Sequence, residues 1–180
     1  MEDKSNRKNT TRLMERQKEV EETLQRNLNH PHVKALHIFL NQNNAEERLN
    51  SLDLRNKQKL VVRPYTGMPT YKHFASYVNQ RLTNELIAIT NMDIYLGEGF
   101  EKINVRLMTK HNIAYALTRS GKKERRCYMN YTIGRCEENP YIGSHDTYIM
   151  KLKEPVCNEV LEMLTNPMNR VGAEKKWFGY

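Results

Sequence analysis

The chain has no apolar run approaching the ~20 residues needed to cross a bilayer, so no transmembrane segment is expected. Its opening residues, Met1 to Thr11, lack the apolar centre of a secretory signal, and no export address is expected in the chain as given. The sequence therefore reads as soluble, with its compartment unassigned. Cysteine is scarce: Cys127, Cys136 and Cys157 are odd in number and show no CxxC spacing. That argues against a cysteine-built zinc site and against a dense disulfide framework. Three reduced thiols are the leading reading, and one bridge between Cys127 and Cys136 is the alternative. No cysteine is set beside a histidine in a way that suggests Cys–His catalysis, and no internal repeat is visible.

What remains is a chain of 180 residues with 38% hydrophobic and 28% charged residues, the balance of one globular domain with a real core. Residues 1–11 are expected to be a disordered polar lead, and 12–180 a single domain. The net charge of +8 points to an anionic partner, and phosphate is the group shared by nucleotides, nucleic acids and membrane surfaces.

Hydrophobic spacing supplies the elements. Leu13, Val20, Leu24 and Leu28 recur at helical intervals, with Glu22 and Arg26 four apart, predicting a helix over 12–28 that His30-Pro31 ends. Val33 to Leu40 reads as a strand, 41–56 as a loop and short helix, and Lys59 to Arg63 as a strand. Thr70 caps a helix over about 71–83 through Tyr71, Phe74 and Leu82. Leu86 to Ile89 has the length and β-branched content of a strand covered on both faces. A brief helix follows around Phe100 to Leu107, then a strand over Asn112 to Leu117. Residues 119–143 show no period; Thr147 to Leu152 alternates as a strand, and a helix over 156–164 closes at Asn166-Pro167. Strands alternating with helices predict an α/β fold, a mostly parallel sheet with helices on both faces.

Three clusters carry chemistry. Asn91-Met92-Asp93 lies where a strand leaves its sheet, the end at which open α/β sheets bind ligands. Its carboxylate suits Mg²⁺ or Mn²⁺ bearing a diphosphate; the plain alternative is a turn or cap. Asp146, in Ser144-His145-Asp146 before a strand, is a candidate general base for a substrate hydroxyl, against a loop aspartate capping its own backbone. Arg119 to Arg126 holds five basic groups in eight residues, a phosphate clamp or nucleic-acid contact with Tyr128 and Tyr131 to stack on bases, against a solvated loop. His30, His32 and His37 read as a turn with a metal site as the lesser alternative.

The series Arg26-Asn27-Leu28-Asn29-His30-Pro31, Arg63, Thr70-Tyr71, Phe74, Asn79, Ile87 to Ile94, Ala116-Leu117-Thr118-Arg119, Ser144, Asp146 and Gly172-Ala173-Glu174 resembles glycosyltransferase-like proteins of the GT-A fold, over roughly residues 12–174. The resemblance implies a Rossmann-like sheet, a nucleotide-sugar donor, and a glycan or other hydroxyl acceptor. It implies that Asp93 and Asn91 meet the donor diphosphate, with Asp93 as the ligand of a divalent metal (Mn²⁺ or Mg²⁺). Arg63 and Tyr71 would lie near the donor nucleotide, Arg119 near the diphosphate, and Asp146 and Glu174 on the acceptor side. Asparagine at 91, where the family has an acid, bears on metal dependence. Set against the family, the first strand is missing ahead of the helix over 12–28 and further strands after Gly172-Ala173-Glu174, so a fragment or an inactive relative is expected alongside an active transferase. A non-catalytic basic module for RNA or another polyanion is the second function class.

Overall fold

The computed structural model describes the backbone of residues 4–40, 43–118, 129–130, 135–136 and 145–165. Helix α1 runs Lys4–Asn29, longer at its start than the spacing of its apolar residues indicates. Its second half supplies the anchoring face, where Thr23, Asn27 and Leu28 are buried. Leu13, counted on that face by periodicity, is 70% exposed. The Glu22–Arg26 pair forms as its spacing indicates, at 2.6 Å.

Strand β1 (Leu36–Leu40), helix α2 (Asn43–Ser51) and strand β2 (Leu60–Pro64) form one βαβ unit. The two strands are parallel, paired from Leu36 with Leu60 to Leu40 with Pro64. Helix α3 (Tyr71–Arg81) then starts at Thr70, whose backbone N–H donates to His73 Nδ1 at 3.1 Å. Since Nδ1 accepts there, Nε2 carries the ring proton and donates it to Tyr65 Oη at 2.8 Å.

Helix α3 joins three parts of the molecule, and its sequence shows why. Tyr71 and Ala75, one turn apart, pack on Leu161 and Leu164 at helix α5 (Asn158–Met163). Val78 and Leu82 cover Ile87, Tyr148 and Met150. Phe74 and Tyr77 lie to one side of that stripe and meet Phe39 of β1, with ring centroids 4.6 and 5.3 Å apart.

Strand β3 (Leu86–Thr90) belongs to a second sheet with β4 (Tyr115–Thr118) and β7 (His145–Lys151), in the order β3-β7-β4. Between them in sequence, helix α4 (Val105–His111) is capped by Asn104 and packs against β7. The two-residue strands β5 (Met129–Asn130) and β6 (Arg135–Cys136) pair with each other.

The α/β class holds, but the expected single, mostly parallel sheet does not. Among the described residues there is one parallel pair and a separate three-stranded antiparallel sheet. The reason is β7. Strands β3 and β4 both run antiparallel to it and so parallel to each other, but β7 enters between them. The expectation that β3 is covered on both faces is also corrected. Ile87 is buried, whereas Leu86 and Ala88, on the opposite face, are exposed. The strand covered on both faces is β7, where Thr147 to Met150 are all buried.

Candidate functional site

Where β3 ends, the chain turns: the Ile94 N–H donates to the Asn91 carbonyl at 3.2 Å. The turn is held from α1. Asn27, 6% exposed, donates through its amide nitrogen to the Ile94 carbonyl at 3.0 Å and accepts from the Leu96 N–H at 2.9 Å. The Arg26 guanidinium stacks over the Tyr95 ring, 4.4 Å from its centroid. Further along the helix, Arg16 Nη2 donates to Asp93 Oδ2 at 2.9 Å, while its Nη1 donates to Glu19 at 2.7 Å. The bonds to Glu19 and then Asp93 raise the Arg16 pKa above its already high ordinary value. Asp93 is thus a turn residue whose carboxylate is held by a cation, and the Arg16 side chain, shared with Glu19, is 53% exposed.

Asp146 reaches the same end of the sheet from another part of the chain. Thr90 pairs with Thr147, their hydroxyls 2.8 Å apart, so Asp146 is the β7 residue next in register beyond the end of β3. On the β4 side Leu117 pairs with Thr147 and Thr118 with His145. Asp146 is therefore the extra residue of a β-bulge, a device that re-aims a position at the rim of a sheet. Arg119 follows Thr118 at this end; it lies outside the described residues, as do Glu174 and the basic run through Arg126.

The other expected site residues lie elsewhere. Tyr71 is 8% exposed, in the core against α5. Arg63, on β2, donates from Nε to Tyr77 Oη at 3.1 Å, and Tyr77 Oη lies 2.8 Å from His37 Nδ1. Because the Tyr77 oxygen accepts from Arg63, its own proton is available to His37, which requires an unprotonated Nδ1. Burial, and then the Arg63 charge, hold the His37 pKa below its ordinary value and so favour that state.

Beside the end of β3 lies a cavity of about 1610 Å³ lined by β1, β3 and residues of α1 and α3. Asn91 and Met92 are on its wall; Arg63, Tyr71 and Asp93 are not among its lining residues. Among the described residues no three His, Cys, Asp or Glu side chains converge, and the one carboxylate at the turn is engaged by a guanidinium. His30 and His32 make a turn, with His30 Nδ1 accepting from the His32 N–H at 3.3 Å and both rings beside Phe100. Cys157 is a free, exposed thiol, and the alternative bridge between Cys127 and Cys136 involves side chains outside the described residues.

Two residues of this site, Arg16 and Asn27, were given no role there from sequence. Arg16 and the Asn27 clamp are 77 and about 70 positions from their partners, and one arginine among many on a charged helix carries no local mark. No protein-family model matches the chain, and comparison with curated proteins and with solved structures finds no match.

Proposed function

We propose that this α/β domain is a GT-A-like relative whose β3 end binds a nucleotide sugar, and that it transfers the sugar to a hydroxyl acceptor or keeps the binding site without the transfer. One observation carries the reading: Asn91 and Asp93, at a turn, and Asp146, more than fifty positions later and at a bulge, belong to the same end of one antiparallel sheet. Backbone irregularity of that kind marks sites more than scaffolds.

In this reading Arg16 offsets the donor diphosphate, and Asp93 orients Arg16 while hydrogen-bonding the donor's sugar or ribose hydroxyls. The acceptor oxygen bonds to the anomeric carbon, the bond from that carbon to the diphosphate oxygen breaks, and the hydroxyl proton passes to the Asp146 carboxylate. The nucleoside diphosphate leaves with the bonding pair. In this reading a divalent ion, Mn²⁺ or Mg²⁺, would arrive with the diphosphate and take Asp93 as its protein ligand, keeping phosphate oxygens and waters as the others.

Calorimetry with UDP- and GDP-sugars, each with and without Mn²⁺ or Mg²⁺, tests this directly. Binding is expected, and Asp93→Ala should weaken it at least tenfold, because it removes the group that orients Arg16. Absence of heat from every sugar nucleotide, with RNA bound along a steep salt slope, would replace the reading with that of a basic polyanion-binding module.

A further inference from the structure

Three donors stand in series where β1 and β2 meet α3. Arginine can only donate, so the bond from Arg63 Nε to Tyr77 Oη, at 3.1 Å, fixes which way the rest of the series points. The Tyr77 proton goes on to His37 Nδ1 at 2.8 Å, and the ring's other nitrogen, Nε2, then carries the ring proton. The series starts on a cation and ends on an N–H. For that N–H there is no acceptor among the described residues, and Arg63 has no carboxylate partner among them either.

Hydrogen bonds that all point one way polarise one another, so a charge at the origin strengthens the donor at the far end. The guanidinium and the imidazole are both half-buried, and a charge taken partly out of water gains from an opposite one. What completes the series is an acceptor that is itself negative. One cation at the origin matches one negative charge, which a carboxylate carries.

The surroundings specify what that carboxylate is attached to. His37 and Tyr77 both line the cavity of about 1610 Å³, which exceeds the ~300–1,000 Å³ typical of small-molecule sites. Phe39 and Phe74, with centroids 4.6 Å apart, line it too, and Val20, Leu24 and Ile87 continue its apolar wall. The ionised side chains on the wall nearly balance, four glutamates against three lysine or arginine groups, so the donor series sets the sign of the guest. A polar anchor in a large apolar wall holds one end of a ligand and leaves hydrocarbon to fill the rest.

We propose that this cavity binds a single-chain amphiphile, a long-chain carboxylate whose oxygen accepts from His37 Nε2 and whose hydrocarbon lies against the apolar wall. The site is separable from the sugar-nucleotide reading, because it uses none of Asn91, Asp93 or Asp146.

Decanoate added to the full chain is the probe. Beside it stand decyltrimethylammonium, with the same hydrocarbon and the opposite charge, and acetate, with the head alone. Calorimetry should show decanoate bound at least tenfold more tightly than the cation, and acetate not bound. Decanoate should also shift the nuclear magnetic resonance signals of His37 Nε2 and of the Val20 and Leu24 methyl groups. Tyr77→Phe removes the middle donor and keeps the ring; it should weaken decanoate at least fivefold and leave the cationic amphiphile unchanged, whereas loss of a merely structural tyrosine would lower both alike. Where Tyr77→Phe does not fold, Arg63→Met, which removes the charge at the origin, carries the same expectation. Equal binding of the two amphiphiles, no binding of decanoate at millimolar concentration, or undiminished decanoate binding by the folded variant overturns the proposal.

Discussion

Strands β1 and β7 make an instructive pair. The sequence of β1, LHIFL, is the more apolar, yet all five of its residues are only half-buried. Strand β7, HDTYIMK, is the more polar, yet Thr147 to Met150 are all buried. The difference is neighbours. β7 has a partner strand on each edge and packs against α3 and α4, whereas β1 pairs with β2 alone among the described residues and lines the cavity. Apolar content qualifies a strand for burial; the elements around it decide whether burial occurs. The finished sheet should therefore dominate stability and the open pair should contribute less.

That contrast can be broken at its strongest point. Ile149 is fully buried at the centre of β7, and Ile149→Ala should cost about 2–5 kcal/mol in urea unfolding, by lost transfer energy and the cavity left behind. A loss no greater than that of a surface substitution would remove β7 as the centre of the core.

The next largest effect tests the seam between α1 and the turn after β3. Asn27→Ala leaves the Ile94 carbonyl and the Leu96 N–H without their shared partner, at a cost of about 1–3 kcal/mol. Faster exchange of the Leu96 amide should accompany it; an unchanged amide would mean that the turn holds its shape without the clamp.

In the open pair, Phe39→Ala should cost about 1–2 kcal/mol, less than Ile149→Ala because the ring is only half-buried beside Phe74 and Tyr77. If it proved the costlier of the two, the contrast would be reversed.

The smallest effect is a pH dependence confined to the open pair. The folded-state pKa of His37 lies below its ordinary value of 6.5, so unfolding takes up a proton when the pH is below that value. The contribution of the neutral ring is fully present above pH 6.5 and declines as the pH falls toward the folded pKa. Denaturant midpoints measured downward from pH 7 should therefore fall, and His37→Asn should flatten that part of the curve. A wild-type midpoint that rose on acidification would contradict the His37–Tyr77–Arg63 arrangement.

Much of the chain's local structure was legible beforehand because it rests on local rules. The end of α1 at His30-Pro31, the Thr70 start of α3 and the strand from Leu86 follow from the restricted backbone before proline, capping chemistry and β-branched content, all carried by residues within a few positions of one another. The acidic end of β3 was legible for the same reason. Its surroundings were not: Arg16 on Asp93, the Asn27 clamp and the burial of Tyr71 depend on contacts between elements, and nothing near those residues marks them.

The sequence by itself determined most of the helices and strands, though not the start of α1 at Lys4 or the short β5–β6 pair, the α/β class, the lack among the described residues of a helix long and apolar enough for a membrane, and which carboxylates stand at strand ends. Only the tertiary structure decided strand order and direction. Periodicity records which residues share a face, but the edge on which a strand pairs is set by backbone groups that every residue carries alike. That is why the place of β7 between β3 and β4, and the separation of the β1–β2 pair from that sheet among the described residues, could be read only from the assembled chain.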